Sequence, residues 1–414
     1  MLAYVVEILI KVAFILGTLM TAAAYLVLLE RWVAAWVQDR LGPNRVGIPL
    51  TKIRLFGLGQ PVADGVKFMT KEDVMPGHVD KLLFLGAPIA IFGYAALAFA
   101  VVPFGSVLPI DLHRFGLQSP LHLTLAPQLD VGVIYVAALG SLAVYGVMLG
   151  GWASNDKYSF LGAMRASAQL IAYELPLGMG LLGVVLVSGS LRLDEIIRQQ
   201  ASTGVWNAFS QPLGMLVFVV SAMAEASRLP FDLTECEQEL VGGYHTEYSG
   251  MRLMLFLVAE FLHLIMAAFL IVILFLGGWH LWGLTGSSDS ITWPIALLRI
   301  AVLTAKVLGV IFFFMLARWS WPRFRFDQLM GLAWNIMLPL GMVNVAMAAV
   351  WAEYGGDLAQ RFGLSAAAAE CGFGWCVLLL SLLTVALLVP AHSDNRPRRE
   401  PRAAEGSLDE AISV

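Results

Sequence analysis

The sequence predicts an all-α, polytopic membrane protein of about nine spanning helices, with a short amphipathic surface helix after the first span. Three observations predict it. The 414 residues are 59% hydrophobic and only 14% charged, with a mean hydropathy of +0.77. An ordinary soluble domain is about 45–50% apolar and about 25% charged. Apolar runs of about 20 residues, enough to cross a hydrocarbon core, recur along the chain. The connections between them are alternately rich and poor in Lys and Arg, as expected of a chain that threads back and forth. The net charge of −4 selects no class of partner.

The runs fall at roughly 4–29, 82–104, 131–152, 166–188, 206–224, 253–277, 299–317, 330–351 and 370–390. The first is too long for a signal peptide, lacks a basic start and holds Lys11 within it, so it reads as a retained span. Basic residues concentrate after spans one, three, five and seven and in the tail, where Arg396, Arg398, Arg399 and Arg402 lie. The positive-inside rule then sets the N-terminus outside and the tail in the cytoplasm or matrix.

The first connection, about 30–81, is too long for a turn. Gly42-Pro43-Asn44 and Gly57–Gln60 break it. From Pro61 a short helix is predicted, since proline suits a first helical turn. Val62, Val66 and Met69 fall on one face and Asp64, Lys67 and Lys71 on another, a pattern suited to a membrane surface. Spans two and three carry no charge and read as packing elements, and residues 152–166 read as a short polar connection. Span four contains Tyr173-Glu174-Leu175-Pro176. A carboxylate within a span is a functional candidate by default, and Pro176 weakens the local ladder. Glu260 and His263, three residues apart, share a face of span six; Lys306 sits in the middle of span seven. These three are either functional or paired with one another for structure. Lys11 can snorkel.

Between spans five and six, Glu225–Glu247 holds six carboxylates: Glu225, Asp232, Glu235, Glu237, Glu239 and Glu247. Arg228 is its only fixed positive charge. Glu235 and Glu239 share a helical face. Carboxylates crowded beside hydrocarbon are costly unless paired, hydrated or protonated, which suits them to taking up and releasing protons. A calcium loop fails here, because counting from Asp232 the sixth position is Glu237 where glycine is needed and the twelfth is Gly243 where glutamate is needed. Trp319–Asp327 interleaves aromatics with Arg323 and Arg325, the composition of an interfacial belt, which could also hold lipid head groups or clamp the acidic stretch. Cys236, Cys371 and Cys376 give no zinc, iron–sulfur or disulfide spacing. No nucleotide loop, catalytic Ser/His/Asp order or internal repeat is evident, and no nucleic-acid partner is expected. The residues alone point to a membrane protein that takes up and releases protons, and they leave open a stand-alone proton- or cation-coupled transporter. The latter would show paired half-helices and an internal repeat.

Particular stretches carry a resemblance. These are Glu30-Arg31, Arg40-Leu-Gly-Pro-Asn-Arg-Val-Gly47, Gln60-Pro-Val-Ala-Asp64-Gly-Val-Lys67, Gly151-Trp-Ala-Ser-Asn155, Tyr173-Glu174, the whole of Ala224–Tyr248, and Pro322-Arg-Phe-Arg-Phe-Asp-Gln-Leu-Met330. With them the chain resembles the membrane subunit lettered H in bacterial respiratory complex I, the proton-pumping NADH–quinone oxidoreductase, over about residues 1–351. Its mitochondrial counterpart is the first mitochondrially encoded subunit of that complex. The resemblance implies eight core helices in a bacterial inner membrane, in a subunit inactive alone. It implies partners too: peripheral-arm subunits that carry FMN and the iron–sulfur clusters, pumping subunits of the membrane arm, and lipids. No cofactor would be bound by this chain itself, and quinone would be the substrate. Carried onto this sequence, the quinone chamber would involve Arg31, Arg40, Asp64, Lys67, Arg228, Phe231 and Asp232. Proton coupling would use Asp64, Glu174, Glu225, Glu235, Glu237, Glu239, Glu247 and Glu260, braced by Arg318, Arg323 and Arg325. The related membrane subunit of an energy-converting hydrogenase, which works without quinone, is the near alternative. Residues 352–390, an additional loop and helix, and 391–414, a disordered tail, lie beyond the resemblance. Cys236 stands where a small inert residue is expected.

Overall fold

A computed structural model describes residues 2–47, 56–109, 123–127, 129–232, 241–285, 292–363 and 365–388. Its helices are α1 (Leu2–Val37), α2 (Gln60–Thr70), α3 (Lys81–Ala98), α4 (Gly132–Ala153), α5 (Lys157–Ser188), α6 (Leu193–Thr203), α7 (Asn207–Ser210), α8 (Pro212–Glu225), α9 (Gly250–Phe275), α10 (Trp293–Ser320), α11 (Phe326–Leu332), α12 (Leu338–Phe362) and α13 (Ala366–Leu388). Eight segments among the described residues are long and apolar enough to span a membrane, with α11 and α12 forming one of them, and α8 is a shorter apolar helix. The chain is an all-α, multi-pass membrane protein.

Three spans depart from their predicted bounds, each for a local reason. α5 begins at Lys157, not near 166, because Asp156 caps it: the carboxylate accepts from the Tyr158 and Ser159 amides at 2.9 and 3.1 Å. Such a cap satisfies amides that the first turn leaves open. The run at 206–224 is two helices, α7 and α8, broken at Gln211 ahead of Pro212. The last family-core span runs from Phe326 to Arg361 and includes a π-helical turn at Ala333–Met337. Beside that turn, the buried Tyr173 hydroxyl donates to Leu329 O at 3.0 Å.

Two lengths position the site. α1 has 36 residues, about 54 Å at 1.5 Å per residue. It outruns a hydrocarbon core of about 30 Å and carries Glu30 and Arg31 toward its C-terminal end. α8 has 14 residues, about 21 Å, shorter than a hydrocarbon core of about 30 Å, and it ends in Glu225. α9 is the most enclosed span, buried along most of its length against α1, α3, α8 and α10. α5 packs on α8 closely enough that a Cβ at Gly180 would come 3.1 Å from Gly214 O, the small-residue contact that brings membrane helices together.

The connections after α5 and α9 hold elements the hydropathy reading does not predict. α6 is amphipathic, burying Leu193, Ile196 and Ile197 while Arg192 pairs with Asp194 at 3.3 Å. Lys306 pairs with neither Glu260 nor His263. Its ammonium donates to the carbonyls of Leu276, Gly278 and His280 at 2.6, 3.0 and 2.6 Å, just past the C-terminus of α9. It also lies 4.3 Å from the Trp206 ring. Open helix carbonyls favour a cation there.

Candidate functional site

Two cavities meet at one buried carboxylate. The larger, about 810 Å³, lies between the C-terminal end of α1, α2, the start of α9 and the end of α10. Ligand pockets commonly run about 300–1,000 Å³. Its polar side is a set of ion pairs. Arg31 Nη1 is 2.8 Å from Asp64 Oδ2, and Lys67 Nζ is 3.8 Å from Asp64 Oδ1. Gln60 Nε2 donates to that same Oδ1 at 3.3 Å. Arg228 stands between two acids, its Nη1 3.6 Å from Glu30 Oε2 and its Nη2 3.8 Å from Glu260 Oε2. The Arg228 guanidinium also lies 4.4 Å from the Phe261 ring. Arg318 pairs with Glu30 from the opposite side. Guanidinium groups suit such sites because they stay charged and present a planar fork of donors. Arg40 lines the same space, and Val27, Phe68, Met254 and Leu257 supply an apolar wall. The whole accepts an amphipathic molecule with polar oxygens and an apolar body.

The smaller cavity, about 40 Å³, is lined by Glu174, Glu225, Glu260, His263, Tyr244 and Ser227, among others. Four elements bring these groups together: α5 carries Glu174, the short α8 ends in Glu225, α9 places His263 one turn after Glu260, and the turn before α9 supplies Tyr244. Ser141 of α4 donates to Glu174. The Tyr244 hydroxyl donates to Glu260 Oε1 at 3.1 Å. Glu225 and His263 also border a third cavity of about 50 Å³ among α3, α4, α5, α8 and α9. Glu260 is common to the first two cavities, and Glu225 and His263 to the last two. Each small cavity is large enough for water. Carboxyl, imidazole and phenol groups lining one hollow can hand protons along hydrogen bonds. Among the described residues, no group of three or more His, Cys, Asp and Glu is arranged to hold a metal ion.

Of the expected residues, Arg31, Arg40, Asp64, Lys67, Arg228, Glu260 and Arg318 line the large cavity, and Glu174, Glu225 and Glu260 the small one. Asp64 faces the large cavity and not the bilayer edge. Phe231 and Asp232 line neither. Phe231 is buried between Tyr173 and Phe324, with ring centroids 5.7 and 5.6 Å away. The Asp232 backbone carbonyl accepts from Arg323, which therefore braces main chain there. Arg325 sits at the start of α11, away from both cavities. Glu247 lines neither cavity, lying in the turn before α9; nearby, burial pushes the Tyr248 phenol above its ordinary range. Glu235, Glu237, Glu239 and Cys236 lie outside the described residues. Three site residues were missed: Glu30, Tyr244 and Ser141. Glu30 alone had a sequence signal, an acid beside Arg31 at the end of an apolar run.

The family described as NADH dehydrogenase matches residues 10–349. The chain is 46% identical over 335 residues to the NADH-quinone oxidoreductase H subunit numbered 1 of Geobacter metallireducens, covering 81% of this chain and 93% of that one. It is 44% identical over 341 residues to the NADH-quinone oxidoreductase H subunit of Thermomicrobium roseum, covering 80% and 92%. To the corresponding Flavobacterium johnsoniae protein it is 40% identical over 344 residues, covering 83% and 94%.

Proposed function

The chain belongs to the NADH dehydrogenase family, as an H subunit of NADH–quinone oxidoreductase, and from that premise we propose how its cavities serve the complex. It is a membrane subunit of an enzyme complex whose other subunits are its partners. The large cavity is the quinone chamber and the acids beyond it are the coupling path. The observation that carries this reading is that Glu260 lines both.

Quinone enters from the bilayer beside α1. Its apolar body rests on Val27, Met254 and Leu257, and its ring oxygens approach the Arg31–Asp64–Lys67 set. Electrons arrive from an iron–sulfur cluster of a peripheral-arm subunit, fed from FMN, and that chemistry belongs to the partners. Quinone takes two electrons and two protons to become quinol, and the protons come from groups around the chamber. The accompanying change in charge acts on Arg228, which holds Glu30 and Glu260 together. Through Glu260 it reaches Glu174, Glu225 and His263, and from there the pumping subunits. Glu235, Glu237, Glu239 and Glu247 extend the same acidic stretch. Arg318 braces the chamber directly, while Arg323 and Arg325 support the adjoining loop. The N-terminus lies outside and the tail in the cytoplasm of a bacterial inner membrane. Residues 1–351 form the family unit, and the later helix and tail are additions to it.

The test is Glu260→Gln in the intact complex, reconstituted in vesicles. Quinone reduction and proton pumping should fall together, while NADH oxidation by an artificial acceptor is unchanged. Normal pumping in that variant would remove Glu260 from the path.

A further inference from the structure

α13 lies beyond the family-matched segment, and its face toward the core is polar at one point. It packs on α12, α7 and α8. The approach is close: a Cβ at Gly374 would sit 2.0 Å from Ser210 O, so only glycine lets the helix seat there. Trp351 and Phe373, with ring centroids 5.4 Å apart, hold the same seam. Along it lies a cavity of about 30 Å³ whose lining includes Ser210, Gln211, Asn344 and Glu370. Gln211 is 8% exposed, and neither its amide oxygen nor its amide nitrogen has a hydrogen-bond partner among the described residues. Asn344 is 5% exposed, and a Cβ at Gly183 would lie 2.3 Å from its Nδ2 and 3.2 Å from Gln211 Oε1, so the two amides converge. Ser210 and Glu370 line it together, and the buried Ser210 hydroxyl has no hydrogen-bond partner among the described residues. Among the described residues no Lys, Arg, His or second carboxylate lines this cavity, and the titratable neighbour is Cys371 on the same helix.

A half-buried carboxylate with no cation beside it is costly, and so is a buried amide with nothing to bond. One small guest relieves both. We propose that Ser210, Gln211, Asn344 and Glu370 form a site for a single small monovalent cation, which α13 completes on the outer side of the family core. The cation is either a proton carried on Glu370, with its O–H donating to an amide oxygen, or Na⁺ held by the carboxylate, hydroxyl and amide oxygens. A cavity of about 30 Å³ admits one such guest and little more. Hard oxygen donors suit Na⁺ and not a soft metal.

The experiment is carbodiimide labelling of the intact complex at pH 8 in choline medium, read by mass spectrometry of the peptide that carries Glu370. Carbodiimides modify carboxyl groups that hold a proton. Glu370 should be modified, while the exposed Asp130 should not. Replacing choline with Na⁺ at constant ionic strength separates the two sources: a several-fold fall in modification assigns Na⁺, and an unchanged level assigns the proton. Gln211→Leu should alter the modification rate several-fold with α13 still seated, as judged by an unchanged limited-proteolysis pattern of the intact complex. Failure of Glu370 to react in choline overturns the proposal. So does a rate that Gln211→Leu leaves unchanged, because Glu370 would then be a lone acid in lipid.

Discussion

The two cavities that share Glu260 are built on opposite electrostatic plans. In the larger, the acids have cations at hand: Asp64 has Arg31 and Lys67, and Glu30 has Arg228 and Arg318. In the smaller, Glu174 and Glu225 meet hydroxyls and an imidazole, and among the described residues no Lys or Arg lines the space. Paired charges hold their geometry and present a fixed pattern to a ligand. Carboxyls in a small hollow without such cations respond to any change of charge nearby. The first plan suits recognition and the second suits transmission, and Arg228 is the cation that reaches Glu260 from the chamber.

That contrast can be broken most severely at the joint. Arg228→Met leaves Glu30 and Glu260 without their common cation, and breaking a buried pair costs about 3–5 kcal/mol. Quinone reductase activity should fall at least about ten-fold, with assembly checked by native electrophoresis. Full turnover would mean that the two cavities are not linked there. Next comes Glu174→Gln, which touches only the smaller cavity. It should lower the proton-to-electron ratio several-fold and leave the quinone KM where it was. Arg31→Gln and Asp64→Asn act only on the larger cavity. Each should raise the quinone KM by a few fold at an unchanged ratio, and the double variant should cost less than the two effects added.

Two weaker effects belong to the turn after α9, away from both cavities, and should move stability without moving kinetics. Lys306→Met exposes three carbonyls that its ammonium satisfies, a loss of about 1–3 kcal/mol. The thermal midpoint in detergent should drop by a few degrees. His280 is held below the usual imidazole range by burial, with Lys306 and Arg299 adding to it. The folded protein therefore binds fewer protons there than the unfolded chain as pH falls through about 6.5, and stability declines toward acid. His280→Gln should flatten that slope between pH 7 and 5, measured as the midpoint against pH.

The spans were legible because hydropathy depends on composition alone. So was α2, which starts at Gln60 with Pro61 in its first turn. What escaped depends on partners far away in sequence. Glu30 becomes a site residue because Arg228 and Arg318, the latter 288 positions later, fold against it. Phe231 and Asp232 sit in the most recognisable stretch of the chain, yet the turn after α8 points the first into the core and uses the main chain of the second. α6 failed a hydropathy reading because Asp194, Glu195, Arg198 and its Gln, Ser and Thr residues outnumber its apolar ones, and the break at Gln211 lies within a run read as one span although Pro212 follows it. Lys306 looked like a partner for acids and proved to be a cap for carbonyls.

The brevity of α8 acts as a depth gauge. Its last residue is a carboxylate that a count of 14 brings to the wall of the cavity it shares with His263. One added turn would raise Glu225 by about 5.4 Å, toward water and away from His263. Insertions in this helix, even wholly apolar ones, would therefore turn a membrane acid into a surface one, so its length is as much a functional quantity as any side chain on it.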